Sequence, residues 1–178
     1  MTCRGTPGGA GIVRRVIIRD ARPDEYPAVG ELRVAAYRAL GLLPEGSQYE
    51  QTLRGFGFGD DCAVLVAAGG DGDAAGILGT ITLEPYGPAS ELARDQTEAD
   101  LRAFAVAPQA QGLGVGRQLL LAAIDHAAAR GLRVLRLCTR PPMKAAQHLY
   151  AGAGFSRTPE LDFEPLPGVP LRAYELAL

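Results

Sequence analysis

Residues 101–139 read LRAFAVAPQA QGLGVGRQLL LAAIDHAAAR GLRVLRLCT and hold three elements in succession. Residues 101–106 are an apolar, β-prone run that leads to Pro108. Residues 114–130 have the length and composition of a helix, which ends at Gly131, a residue free to turn left-handed. Residues 132–139 are β-prone again. Strand, helix and strand in this order make a crossover unit, with the helix carrying the chain between parallel strands.

Upstream, residues 13–21 (VRRVIIRDA) predict a strand. Residues 23–40 predict a helix. Pro23, Asp24 and Glu25 suit its start, Val29, Leu32, Ala36 and Leu40 recur at helical spacing, and Gly41 and Pro44 stop it. Residues 41–61 read as loop with a short helix over 47–54. Residues 62–68 and 77–84 form a hairpin around the turn signal Gly69-Gly70-Asp71-Gly72-Asp73, and 85–97 are a polar connection. Downstream, Pro141 and Pro142 open a helix over 143–152. Gly154-Phe155 turns into a strand, and 171–178 are the last one. The order implies an α/β protein built on a mixed sheet with helices on its faces. Residues 1–12, rich in glycine, read as a flexible tail, and 13–178 as a single domain.

Composition narrows the function. With 178 residues, 47% hydrophobic and a net charge of -2, the chain can bury a core and has no basic field for nucleic acid. No run approaches the roughly 18 apolar residues of a membrane span, and the N-terminus lacks a secretory signal. Three widely spaced cysteines (Cys3, Cys62, Cys138) and two histidines (His126, His148) argue against a disulfide framework and a metal centre. A reduced, cytoplasmic protein without metal is the expectation.

The chemistry lies in Gln111-Gly112-Leu113-Gly114-Val115-Gly116-Arg117. Glycines at alternate positions let backbone approach a ligand closely. The first amides of a helix lack intrahelical partners, and the helix dipole adds partial positive charge there. The combination is a socket for an anion, most often a phosphate, to which Arg117 can add a charged contact. It is neither a Rossmann fingerprint nor a P-loop, because Arg117 stands where the first needs glycine and no Gly-Lys-Ser/Thr follows.

Val106-Ala107-Pro108, the run from Gln111 to Gly116, the helix and strand, and then Leu149-Tyr150-Ala151-Gly152-Ala153-Gly154-Phe155 together resemble the GNAT superfamily of acyl-CoA-dependent N-acetyltransferases. Gln111, Gly114 and Gly116 match the family's acyl-CoA signature. Leu149, Tyr150, Gly154 and Phe155 match its C-terminal motif. The resemblance implies a mostly antiparallel sheet of about seven strands with one parallel pair, splayed where the fourth and fifth strands part, and helices on both faces. It implies acetyl-CoA as co-substrate. Gln111, Gly112, Leu113, Gly114, Val115, Gly116 and Arg117 would hold the pyrophosphate. Phe104, Ala105 and Val106 would pair with pantetheine. A primary amine, on a small molecule or a peptide, would be the acceptor, and pairing of two copies is a further implication.

Two residues carry the catalytic part of the resemblance. Tyr150 stands where the family often has a general acid for the leaving thiolate. A phenol of pKa about 10 facing a thiol of about 8.5 donates a hydrogen bond more readily than a proton. Asp100 stands where a glutamate often assists amine deprotonation, with Glu98 and Glu84 as alternatives. Met143 departs from the family's usual asparagine, and a thioether cannot replace its hydrogen bonds. His148 and His126 read as exposed helix residues, and Cys138 as a core thiol. The acceptor side would be shaped by residues 41–61 and 85–97, with Tyr37 nearby; their acids Glu45, Glu50, Asp60, Asp61, Glu91 and Asp95 could attract a cationic amine, although most read as solvated surface charges. A non-catalytic acyl-CoA-binding module and a phosphate-ligand domain unrelated to CoA use the same glycines and remain open at this point.

Overall fold

The computed structural model describes residues 16–44, 46–59, 61–69 and 76–178. The expected tail over 1–12, residues 13–15 of the first strand, Glu45, Asp60 and most of the hairpin turn lie outside the described residues.

The elements run β1 (Val16–Asp20), α1 (Tyr26–Ala39), α2 (Tyr49–Gly55), β2 (Ala63–Gly69), β3 (Ile77–Pro85), β4 (Glu98–Val106), α3 (Val115–Ala129), β5 (Val134–Thr139), α4 (Lys144–Gly152), β6 (Ser156–Arg157) and β7 (Arg172–Ala177). Seven strands form one sheet in the order β1-β2-β3-β4-β5-β7-β6. Every neighbouring pair is antiparallel except β4 and β5, which the α3 crossover makes parallel.

The residues of β2 show how the layers form. All seven are buried, so both faces of this strand are covered. Ala63, Leu65 and Ala67 point into the main core with Leu119, Leu120, Ala123 and Ala127 of α3. Val64 and Val66 point the other way, against Val29 of α1. Helices α1 and α2 thus cover one face, and α3 and α4 the other.

Two boundaries differ from the sequence expectation for physical reasons. The first helix begins with a 3-10 turn over Pro23–Glu25, and α1 proper starts at Tyr26. β4 starts at Glu98 instead of residue 101. Glu98 and Asp100 are polar enough to read as connection, yet both are buried, because Arg136, distant in sequence, pairs with Glu98 and the amides of residues 91–93 satisfy Asp100.

The α1/α2 layer is held by a close approach and a buried cation. A Cβ at Gly30 would sit 2.7 Å from the Arg54 carbonyl oxygen, so only glycine lets the two helices meet there. Arg33 is fully buried and has no carboxylate partner among the described residues. It donates to the carbonyls of Leu53 (3.3 Å) and Phe56 (2.6 Å) and to Thr82 Oγ1 (2.8 Å). Burial lowers its pKa to about 10. One side chain therefore pins α1, the end of α2 and β3 together. Gly30→Ala should force the helices apart and lower unfolding stability by roughly 1–3 kcal/mol in urea denaturation, as overpacking does elsewhere.

Candidate active site

The parallel pairing of β4 with β5 lasts three residues: Glu98↔Val134, Ala99↔Leu135 and Asp100↔Arg136. Beyond it, β5 stays paired with β7 to Thr139, while β4 leaves along β3. The strands part, and among the described residues the β4 edge over 101–106 faces no strand on that side. A bulge in β4 sharpens the division. Ala103 has φ +48°, a left-handed conformation rare for a residue with a Cβ, and the β3–β4 register shifts between Thr80 and Thr82. Before the bulge, Asp100 and Arg102 stand opposite Glu84 and Thr82, on the α1/α2 side. After it, Phe104 and Val106 lie beside the start of α3, 3.6 and 3.5 Å from a Cβ placed at Gly116. One strand thus lines two compartments.

The glycine loop forms the wall of the second compartment. Gly112 (φ +75°) and Gly114 (φ +80°, the N-cap of α3) are left-handed, and space around both is open. The amides of residues 112–117 donate to no protein acceptor among the described residues; the first helical bond is Gln118 N to the Gly114 carbonyl, 3.1 Å. Gln111 Nε2 donates to the Val106 carbonyl at 3.4 Å and ties the loop to β4. Arg117 is exposed and has no acidic partner among the described residues. Six consecutive amides without a protein acceptor and one exposed cation lie at the start of a helix, which suits a polyphosphate. Met143, at the N-cap of α4, accepts a bond from Thr139 Oγ1 at its sulfur, 3.3 Å.

The acids expected near the acceptor divide sharply. Asp100 is 1% exposed, and both its oxygens are engaged: Oδ2 accepts from the amides of Glu91 (2.8 Å) and Leu92 (3.0 Å), Oδ1 from Ala93 (2.9 Å). Burial outweighs these bonds and leaves its pKa above the ordinary value. Glu98 is ion-paired with the buried Arg136 and accepts from the Arg94 amide, 2.7 Å. Glu84 and Glu91 share one cation: Arg102 donates to Glu84 Oε2 at 2.8 Å and to Glu91 Oε1 at 2.5 Å, and its guanidinium lies 4.3 Å over the Phe56 ring. Cys138, expected in the core, is only half-buried and lies at the parting of the strands, its Sγ 3.8 Å from Glu91 Oε2. Burial and the neighbouring carboxylate push its thiol up to about 12. His148 is exposed as expected; His126 is half-buried, its Nε2 enclosed without a partner.

Tyr150 is 4% exposed and packs among Phe104, Phe155 and Tyr174, with ring centroids 6.0–6.3 Å away. No protein group bonds its hydroxyl among the described residues. Burial holds this phenol far above the usual tyrosine range, and Tyr37 and Cys138 are close enough to raise it further. The structure therefore brings Tyr150, the glycine loop and Phe104 to Val106 together, and sets Asp100 deeper, under the 91–93 loop. Sequence reasoning missed Arg102, Phe56 and Arg33. The signal for Arg102 was its place two residues from Asp100 in an apolar strand, hence on the same face. Among the described residues no group of three or more His, Cys, Asp or Glu could hold a metal ion, and no helix is long and apolar enough to cross a membrane.

A GNAT acetyltransferase from Staphylococcus aureus Mu50 superimposes with a TM-score of 0.73 at 17% identity, over 92% of this chain and 99% of that one. A GCN5-related N-acetyltransferase from Kribbella flavida gives 0.66 at 24% identity, over 92% and 98%. These share the fold. The mycothiol acetyltransferase of Cellulomonas flavigena is 36% identical over 98 residues, 55% of this chain and 28% of that protein, so the chain spans little more than a quarter of that relative's length. The family model for the acetyltransferase (GNAT) family matches residues 26–155, and the chain belongs to that family.

Proposed function

We propose that the protein transfers an acetyl group from acetyl-CoA to a primary amine by direct attack in a ternary complex. The observation that carries this is the row of six unclaimed amides over 112–117, beside the open edge of β4. The residues fit the co-substrate. The amides and Arg117 hold the pyrophosphate, and the free edge at Phe104, Ala105 and Val106 accepts pantetheine as an added strand would. Acetyl-CoA supplies the activated acyl group, and an amide around Val106 polarises its carbonyl.

Tyr150 acts as a neutral donor. Its raised pKa keeps the phenol protonated, and its unpartnered hydroxyl can bond the sulfur as negative charge develops there. Cys138 is a poor nucleophile, because burial keeps it a thiol, which favours direct attack over an acyl-enzyme. Asp100 acts through the three amides that it holds, as a positioning residue for the 91–93 loop.

Release of free CoA thiol across a panel of amines, from polyamines and aminoglycosides to peptide N-termini, tests the reading. Acetyl-CoA should bind by calorimetry, and at least one amine should be acetylated. Binding without turnover would instead make the protein an acyl-CoA-binding module. Tyr150→Phe should lower kcat by about 100-fold, the effect of losing one charge-stabilising donor, and leave acetyl-CoA affinity unchanged. Asp100→Asn should cost about 2 kcal/mol of unfolding stability, because an amide nitrogen then faces backbone donors; acetyl-CoA binding should persist.

A further inference from the structure

One carboxylate at the fork is accounted for neither by the socket nor by the packing. Glu91 lies in the connection between β3 and β4, outside the sheet. Its amide bond to Asp100, with those of Leu92 and Ala93, fixes its backbone beside β4. Its side chain bridges the parting strands. Arg102 on β4 and Cys138 on β5 each lie two residues beyond the last parallel pair, Asp100↔Arg136, and Glu91 touches both. The two oxygens differ in what holds them. Oε1 is fixed by a short charged bond from Arg102, 2.5 Å. Among the described residues Oε2 has only the thiol of Cys138 at 3.8 Å, a weak donor that an ammonium can displace.

We propose that Glu91 is the catalytic residue of the acceptor side: Oε2 receives the ammonium of a cationic primary amine and takes the proton that must leave before the nitrogen can attack. The proposal rests on the N-acetyltransferase reading above. Asp100 is held by three amides and Glu98 by Arg136, while Glu84 shares Arg102 with Glu91 but is more deeply buried, its side chain 10% exposed against 31% for Glu91. The charge around the fork suits a cation, since Glu84 and Glu91 flank a single guanidinium.

The proton balance is as follows. The ammonium gives one proton to Oε2, which leaves a neutral acid and a nitrogen with a free lone pair. The C–N bond forms as the thioester C–S bond breaks. The sulfur leaves with the bonding pair and acquires the second nitrogen proton, and Glu91 returns its own proton to water. An alkylamine of pKa about 10.4 needs this help near neutral pH, because about one molecule in a thousand is unprotonated. The groups that face Glu91 are Arg102 and Asp100 on β4, Glu84 on β3, Cys138 on β5 and Tyr49 on α2. Their net effect with burial is a carboxyl above its ordinary value, a stronger base than a solvated glutamate.

The test compares Glu91→Gln with wild type on two probes, butylamine and trifluoroethylamine; the second is largely neutral near pH 7. The variant keeps an acceptor for Arg102, so urea stability and acetyl-CoA affinity should match wild type. Transfer to butylamine should fall about 100-fold in kcat/KM, a typical loss for a general base, and recover as pH approaches the amine's own pKa. Transfer to trifluoroethylamine should change little. In wild type, the butylamine rate should fall with pH through the Glu91 titration, and Glu91→Gln should lack that limb. Equal loss on both amines would assign Glu91 a structural role and overturn the proposal, as would no loss on either. Wild-type protein that binds acetyl-CoA but acetylates neither these probes nor any amine of the panel would remove the transferase reading, and this role with it.

Discussion

The short parallel seam between β4 and β5 is the constraint on which the site depends. Three residue pairs are enough to align the strands and too few to close the sheet. A longer seam would satisfy the β4 edge internally and leave nothing for a ligand to pair with. Just below the opening the strands are locked by the buried Arg136, which pairs with Glu98 and donates to the Leu92 carbonyl at 3.3 Å. Above it, the left-handed Ala103 turns β4 away. A non-glycine residue held at positive φ costs of order 1–3 kcal/mol, which the surrounding packing must offset. Strain and buried charge thus stand on either side of the fork.

Burying so many charges is costly unless each has a partner. Here the partners also build the site. Asp100 and Glu98 together take the amides of residues 91–94, four in a row, and convert a polar connection into a fixed strap over the sheet. Arg33 has no carboxylate partner among the described residues but draws the end of α2 over the same face, where Phe56 meets Arg102. The compartment proposed for the acceptor is therefore assembled from α1, α2, the strap and two strands, held mainly by side-chain to backbone bonds. The one proposed for the nucleotide is simpler: one loop and one helix N-terminus, with donors left over by the geometry of helices.

That difference explains what could be read from the chain. The socket is local: Gly112, Gly114 and Gly116 announce it within seven residues, and the amides are free because a helix begins there. The strand–helix–strand order is also local and fixes the parallel pair. The acceptor side is not local. Glu98 meets Arg136 across 38 residues and Arg33 meets Thr82 across 49, and no periodicity signals such a pair. The bulge falls on Ala103, in a run with no glycine or proline to mark it. The start of β4 is equally unmarked, since a buried acid such as Glu98 or Asp100 looks like a loop acid until its partner is known.

The two titrating groups proposed for the reaction are shifted in the same direction by the same cause, with opposite consequences. Burial disfavours charge, so it raises the pKa of both a phenol and a carboxyl. For Tyr150 this secures the protonated form and leaves a donor that does not ionise in the working range. For Glu91, about a third of whose side chain is exposed, it strengthens the base against the opposing pull of Arg102. Cys138, between them, is driven up to about 12, so it stays a thiol at neutral pH and a covalent route through it would be slow. The same low-dielectric fork therefore suppresses the cysteine and favours an amine that is deprotonated in place beside the thioester, with positioning supplying much of the rate.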